Sequence, residues 1–150
     1  MYGIRARHGQ EKTNLHCCYL MLNALDGHEH YVRLQLAKVP MLAERLSDQF
    51  SEAMLNVVVA VGQNYWPHLY PEQQPEPWPD FTGNLADLPV VSPDLLIQIR
   101  ADRFDVIHIA TQQIYHLLQQ HVDLYEQIHA FRYLDGRSLT GFHDTPDNPK

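Results

Sequence analysis

The run Leu55 to Val61, reading LNVVVAV and closed by Gly62, constrains the fold more than any other stretch of the chain. Four of its seven residues are valine, whose branched Cβ favours a pleated strand, and it shows no polar alternation. A strand of that kind is covered on both faces, so it belongs inside a sheet rather than at its rim.

Three further segments join it. Leu15 to Leu25 mixes Cys, Tyr, Leu and Met without helical spacing and stops at Asp26-Gly27, a turn signal, which predicts a first strand. Asp94 to Arg100 alternates Leu95, Ile97 and Ile99 against Leu96, Gln98 and Arg100. Glu126 to Leu134 sets His129, Phe131 and Tyr133 against Ile128, Ala130, Arg132 and Leu134, giving a fourth strand before Asp135-Gly136.

Two helices complete the pattern. Val32, Leu36, Val39, Ala43, Leu46 and Phe50 recur at three and four residues, and Pro40 within this stripe means that a helix either starts near it or bends there. The second stripe runs Ile107, Ala110, Ile114, Leu117, Leu118 and His121, with Asp102 or Asp105 as the expected cap. Between them, Pro67 to Pro93 holds seven of the ten prolines, too many missing donors for a helix or an inner strand, and reads as one long connection.

The order strand, helix, strand, strand, helix, strand is the α+β, ferredoxin-like βαββαβ arrangement, a four-stranded antiparallel sheet with both helices on one face. Several strands are apolar on both faces, so the second face needs a cover. A chain of 150 residues with 45% hydrophobic content suits one domain, here 15–150 after a polar segment 1–14.

Composition excludes some partners. Eleven basic against 18 acidic residues leave a formal charge of −7, which repels phosphate backbones, so nucleic acid is not expected. Met1 to Asn14 has no apolar core of a signal peptide and no stretch reaches membrane-spanning length, which predicts a cytoplasmic protein with no membrane partner. Cys17 and Cys18 are adjacent and point to opposite faces of a strand, which predicts two buried thiols and no disulfide. The ten histidines include His28 and His30 in a turn and His108, His116 and His121 around one helix, but no HExxH and no i, i+4 pair, so no metal site is predicted. His16 reads as a core histidine with a backbone partner. The aromatics Tyr65, Trp66, Tyr70, Trp78 and Phe81 read as packing against proline.

Past the fourth strand stand Phe131, Arg132, Arg137, Leu139, Gly141, Phe142, Asp144, Asn148 and Pro149. Their spacing resembles the GFRxxxxRDLxGFxDGTENP stretch of the dye-decolourising haem peroxidases. Val59 to Trp66, with Gly62, is similar to that family's VxxGxxxW segment, and Asp94 to Asp105, with Arg100 and Arg103, to its DLLxHIRxxRxD segment. The branch it most resembles is the bacterial one labelled a melanin-biosynthesis protein.

The resemblance implies the N-terminal half of a two-domain peroxidase that uses haem b to reduce hydrogen peroxide while oxidising a dye-like or phenolic reductant. Asp144 takes the place of the family's distal aspartate, a catalytic group that takes a proton from peroxide and returns it to the leaving oxygen. His143, Asp144 and Thr145 would form the loop on the distal side of the haem, although Thr145 and Pro146 replace the glycine and threonine that follow the aspartate in the family's stretch. The family's proximal histidine and distal arginine belong to a second ferredoxin-like half beyond Lys150. The expectation is therefore that this chain is inactive by itself and does not hold haem stably. The other expectation is a non-catalytic module that pairs with itself, or with a separate second half, through the uncovered sheet face.

Overall fold

The computed structural model describes residues 14–73, 92–134 and 136–140 together with the backbone of 2–5. Its centre is a five-stranded antiparallel sheet in the order β1-β3-β4-β2-β5. The strands are β1 (Tyr2–Arg5), β2 (His16–Ala24), β3 (Asn56–Val61), β4 (Leu95–Ala101) and β5 (Val122–Phe131). The last four, in the order β3-β4-β2-β5, form the expected ferredoxin-like sheet. The fifth is a departure: Tyr2 to Arg5, read from sequence as part of a polar segment, pairs with Val61 to Val58.

The first predicted helix is two helices, α1 (Glu29–Leu36) and α2 (Val39–Gln49), broken at Ala37-Lys38. Pro40 occupies the first turn of α2, where its missing N–H is one that no helical carbonyl would receive. The stripe survives the break, because Val32, Leu36, Val39, Ala43 and Leu46 are all buried. A 3-10 turn, Ser51–Ala53, then leads through Met54 in the left-handed region (φ 53°) into β3. The short helix α3 (Trp66–Leu69) follows that strand.

The long helix α4 (Phe104–Leu118) buries Val106, Ile107, Ala110, Thr111, Ile114 and Leu118. Leu117 is only half-buried and His121 lies beyond the last turn, so the predicted stripe was too wide at that end. Neither predicted cap holds. Arg103 occupies the N-cap position without a side-chain cap bond. Asp105 stands in the first turn, where its Oδ1 accepts the Val106 N–H at 2.9 Å and its charge suits the helix dipole. Asp102 turns to the entry of β2 instead, its Oδ1 accepting the Leu15 N–H and an Asn14 Nδ2–H, both at 3.2 Å.

Helix α1 packs against α4 and α3, and helices α2 and α4 pack on one sheet face. Cys18, Leu20 and Leu22 of β2, Val57, Val59 and Val61 of β3, and Leu95, Ile97 and Ile99 of β4 are buried there, at 4% exposure or less. Each such aliphatic side chain contributes roughly 1.5–3 kcal/mol by leaving water. The opposite face carries Cys17, Tyr19, Met21, Val58, Ala60, Leu96, Gln98 and Arg100, all half-buried. The two cysteines do point to opposite faces, yet only Cys18 is buried.

Strand β5 begins four residues earlier than predicted and ends earlier too. Its pairing with β2 shifts between Met21 and Leu22, so Tyr125 is the extra residue of a bulge. From Asp123 to Phe131 every residue is exposed. No helix among the described residues is long and apolar enough to cross a membrane.

Candidate functional site

The sheet face opposite α2 and α4 deepens where β2, β4 and β5 begin or end. Leu15 accepts the Arg132 N–H at 2.8 Å, so the chain leaving β5 is held beside the chain entering β2. The next residues close a tight turn: Tyr133 bridges Arg137, and its carbonyl accepts the N–H groups of Gly136 at 3.0 Å and Arg137 at 3.1 Å. Gly136 has φ of +102°, a conformation few side chains tolerate, which is why Asp135-Gly136 reads as a turn.

These elements line an open cavity of about 370 Å3. Cys17 and Tyr19 form its floor from β2, Gln98 and Arg100 from β4, and Phe131 to Tyr133 with Arg137 form its rim. Within it Gln98 Nε2 donates to the Tyr19 hydroxyl at 3.1 Å. Arg100 Nη2 donates to Asn56 Oδ1 at 3.3 Å, while its Nε is buried without a hydrogen-bond partner among the described residues. Burial pushes the Cys17 thiol up; the Tyr19 hydrogen bond and the Arg100 charge pull it the other way and do not prevail. The thiol is therefore protonated at neutral pH and is a poor nucleophile.

The three motif segments meet only in part. Arg100, Arg132 and Arg137 line the cavity together. Arg103, although part of the same motif as Arg100, faces elsewhere and pairs with Glu52 and with Asp105, the latter at 2.6 Å. Both carboxyls are lowered: Glu52 by its own backbone N–H and then by Arg103, Asp105 chiefly by Arg103. Gly62 lies at the end of β3, packed against the Pro93 carbonyl rather than against the cavity. Trp66 donates its indole N–H to the Gln73 carbonyl at 2.8 Å and lies 4.8 Å from the Tyr70 ring, an ordinary packing role.

His143, Asp144 and Thr145, the predicted site residues, lie outside the described residues, which end at Thr140. Sequence reasoning did not single out Tyr19 or Gln98, and gave Arg100 only as a motif position. No local signal marks them, because the cavity forms from strands distant in sequence.

A haem, which the resemblance implies, needs an axial donor to its iron. His16, the histidine at the cavity, stands edge-on to Phe104 of α4 with ring centres 5.7 Å apart. The described residues thus supply a cationic cavity with a single imidazole in its lining, His16, packed against Phe104.

The model of the family described as Dyp-type peroxidase, N-terminal, matches residues 13–132. A dye-decolorizing peroxidase of Mycobacterium tuberculosis is 32% identical over 127 residues, which are 83% of this chain and 38% of that protein. Among solved structures, a dyp-type peroxidase protein from Shewanella oneidensis is 39% identical with a TM-score of 0.80, covering 93% of this chain and 46% of that one. A variant of DypB from Rhodococcus jostii RHA1, solved in complex with heme, is 23% identical with a TM-score of 0.73 over 92% of this chain and 46% of that one, a likeness of fold. The chain spans less than half the length of each of these relatives. It belongs to the dye-decolourising peroxidase family, and what it carries is the ferredoxin-like N-terminal half.

Proposed function

We propose that this chain supplies the N-terminal half of a haem-dependent peroxidase that reduces hydrogen peroxide and oxidises an organic, dye-like or phenolic reductant. The observation that carries the reading is the cavity on the sheet face opposite α2 and α4. Its rim, from Phe131 to Arg137, is the first part of the stretch that continues to Asp144. In this reading Asp144 is the carboxylate that takes a proton from peroxide and returns it to the departing oxygen. The iron ligand and the cationic partner of Asp144 come from a second half, which also covers the sheet face.

Haemin titration followed through the Soret band tests this, on the chain alone and fused to the C-terminal portion of the Mycobacterium tuberculosis relative. The chain alone should give a broad band like free haemin, and the fusion a sharp one with peroxide-driven dye bleaching. Asp144→Asn in the fusion should lower bleaching by about 100-fold or more. Equal bleaching by the fusion and its Asp144→Asn variant refutes the assigned role.

A second reading, a binding module without catalysis, is favoured by one observation: Tyr19, Met21, Leu96 and Ile128 present partly exposed apolar surface on the uncovered face. In that reading the chain pairs with a second copy through this face. Light scattering after size exclusion would then show a dimer that Met21→Lys dissociates, and a clean monomer would exclude it.

A further inference from the structure

At the end of the sheet away from the cavity, two histidines 93 residues apart in sequence meet with their Nδ1 atoms 3.0 Å apart. His28 immediately precedes α1 and His121 follows α4. The backbone fixes both. Leu25 donates its N–H to the His121 carbonyl at 2.9 Å, His28 donates to the Leu25 carbonyl at 3.1 Å, and His121 to the Leu118 carbonyl at 2.8 Å. The Tyr31 ring stacks on His121 with centres 5.2 Å apart and planes 7° from parallel, which holds the imidazole in place. Both histidines are half-buried, a position open to ions in solution.

We propose that His28 and His121 form a bidentate site for a divalent late transition metal of the copper or nickel type. Imidazole nitrogens bind such ions at about 2.0–2.1 Å, and with that bond length two donors 3.0 Å apart subtend about 94° at the metal. That angle is nearer the 90° of a tetragonal Cu2+ or Ni2+ site than the tetrahedral angle zinc prefers. Among the described residues no third His, Cys, Asp or Glu joins the pair, so water completes the coordination. The chain's formal charge of −7 favours cation approach.

Without metal, one imidazole donates its Nδ1–H and the other accepts it. On binding, the donating ring loses that proton to solvent and gains one at Nε2. Both Nδ1 lone pairs then go to the metal.

The test is calorimetric titration of the full chain, made without a polyhistidine tag, with CuCl2 in a weakly coordinating buffer. His28→Asn keeps a good residue for a helix start, and His121→Gln keeps a hydrogen-bonding side chain. The controls are His30→Asn and His116→Asn, because the chain has ten histidines. The wild type should bind one Cu2+ at least tenfold more tightly than either His28→Asn or His121→Gln, with both controls unchanged. Its Cu2+ electron paramagnetic resonance spectrum should show coupling to two nitrogens. Wild-type affinity in either site variant, loss of binding in a control, or no site stronger than in the double variant overturns the proposal.

Discussion

Gly62 lies so close to Pro93 that a Cβ on it would stand 2.4 Å from the Pro93 carbonyl oxygen, while its own N–H donates to the Asp94 carbonyl at 2.8 Å. The obstacle is main chain, so no rotamer change relieves it. Gly62→Ala should therefore destabilise the chain by on the order of 3 kcal/mol, a loss seen as a lower urea midpoint. A change within about 0.5 kcal/mol would show that the Pro93 backbone gives way.

The two faces of β4 should respond differently to truncation. Ile97 is 0% exposed beneath the helices, and Ile97→Ala should cost about 2–5 kcal/mol. Leu96, its neighbour on the uncovered face, is half-buried, and Leu96→Ala should cost less than about 1 kcal/mol in the isolated chain. Equal losses in chemical denaturation would mean that the second face is already covered in solution.

Tyr65 is 6% exposed and its hydroxyl has no hydrogen-bond partner among the described residues. Tyr65→Phe removes an unsatisfied group and should be at least as stable as the wild type at neutral pH. Burial first, then the charges of Glu29 and Asp94, pushes the Tyr65 phenol well above its ordinary value near 10. The unfolded chain therefore loses this proton at lower pH than the folded one, so the stability linked to it is complete below about pH 10 and is lost progressively as pH rises from there toward the raised folded-state value. As pH rises past 10 the wild type should lose up to about 1.4 kcal/mol per pH unit relative to Tyr65→Phe. Parallel stability curves for the two proteins between pH 9 and 11 would contradict this.

Cys17 and Cys18 should separate in alkylation. Native chain treated with iodoacetamide at pH 7 should label slowly, at Cys17 only, because the thiol is raised by burial and Cys18 is 0% exposed. Labelling should quicken as pH approaches 9, and both should react once the chain is unfolded. Mass spectrometry of tryptic peptides reads the outcome, and prompt native labelling of Cys18 would place it outside the core.

The inner strands and α4 were legible because their residues obey one environment per position. Leu95, Ile97 and Ile99 alternate with Leu96, Gln98 and Arg100, and the structure buries the first set more deeply than the second. Strand β1 was not legible: four residues with no alternation gain their conformation from Val58 to Val61, a partner far along the chain. The start of β5 escaped for a related reason, since Asp123, Leu124 and Tyr125 are all exposed and Tyr125 sits in a bulge, which breaks the alternation there. The continuous apolar stripe from Val32 to Leu46 spans two helices, and Pro40 marks the start of the second, one of the two readings its position allowed. Of the candidate site, only the motif was visible. Arg100 of β4 meets Arg132 and Arg137 of the turn that follows β5, and the meeting of His28 with His121 depends on both chain turns lying at one end of the sheet.

The sheet ends unevenly, with four residues of β1 along one margin and ten of β5 along the other. Among the described residues no strand pairs with the outer edge of β5, whose main-chain groups there are a template for another strand, whereas the four residues of β1 make a poorer one. Copies meeting β5 to β5 would use up the receptive border of both, so such growth stops at a closed twofold pair instead of running on into a filament.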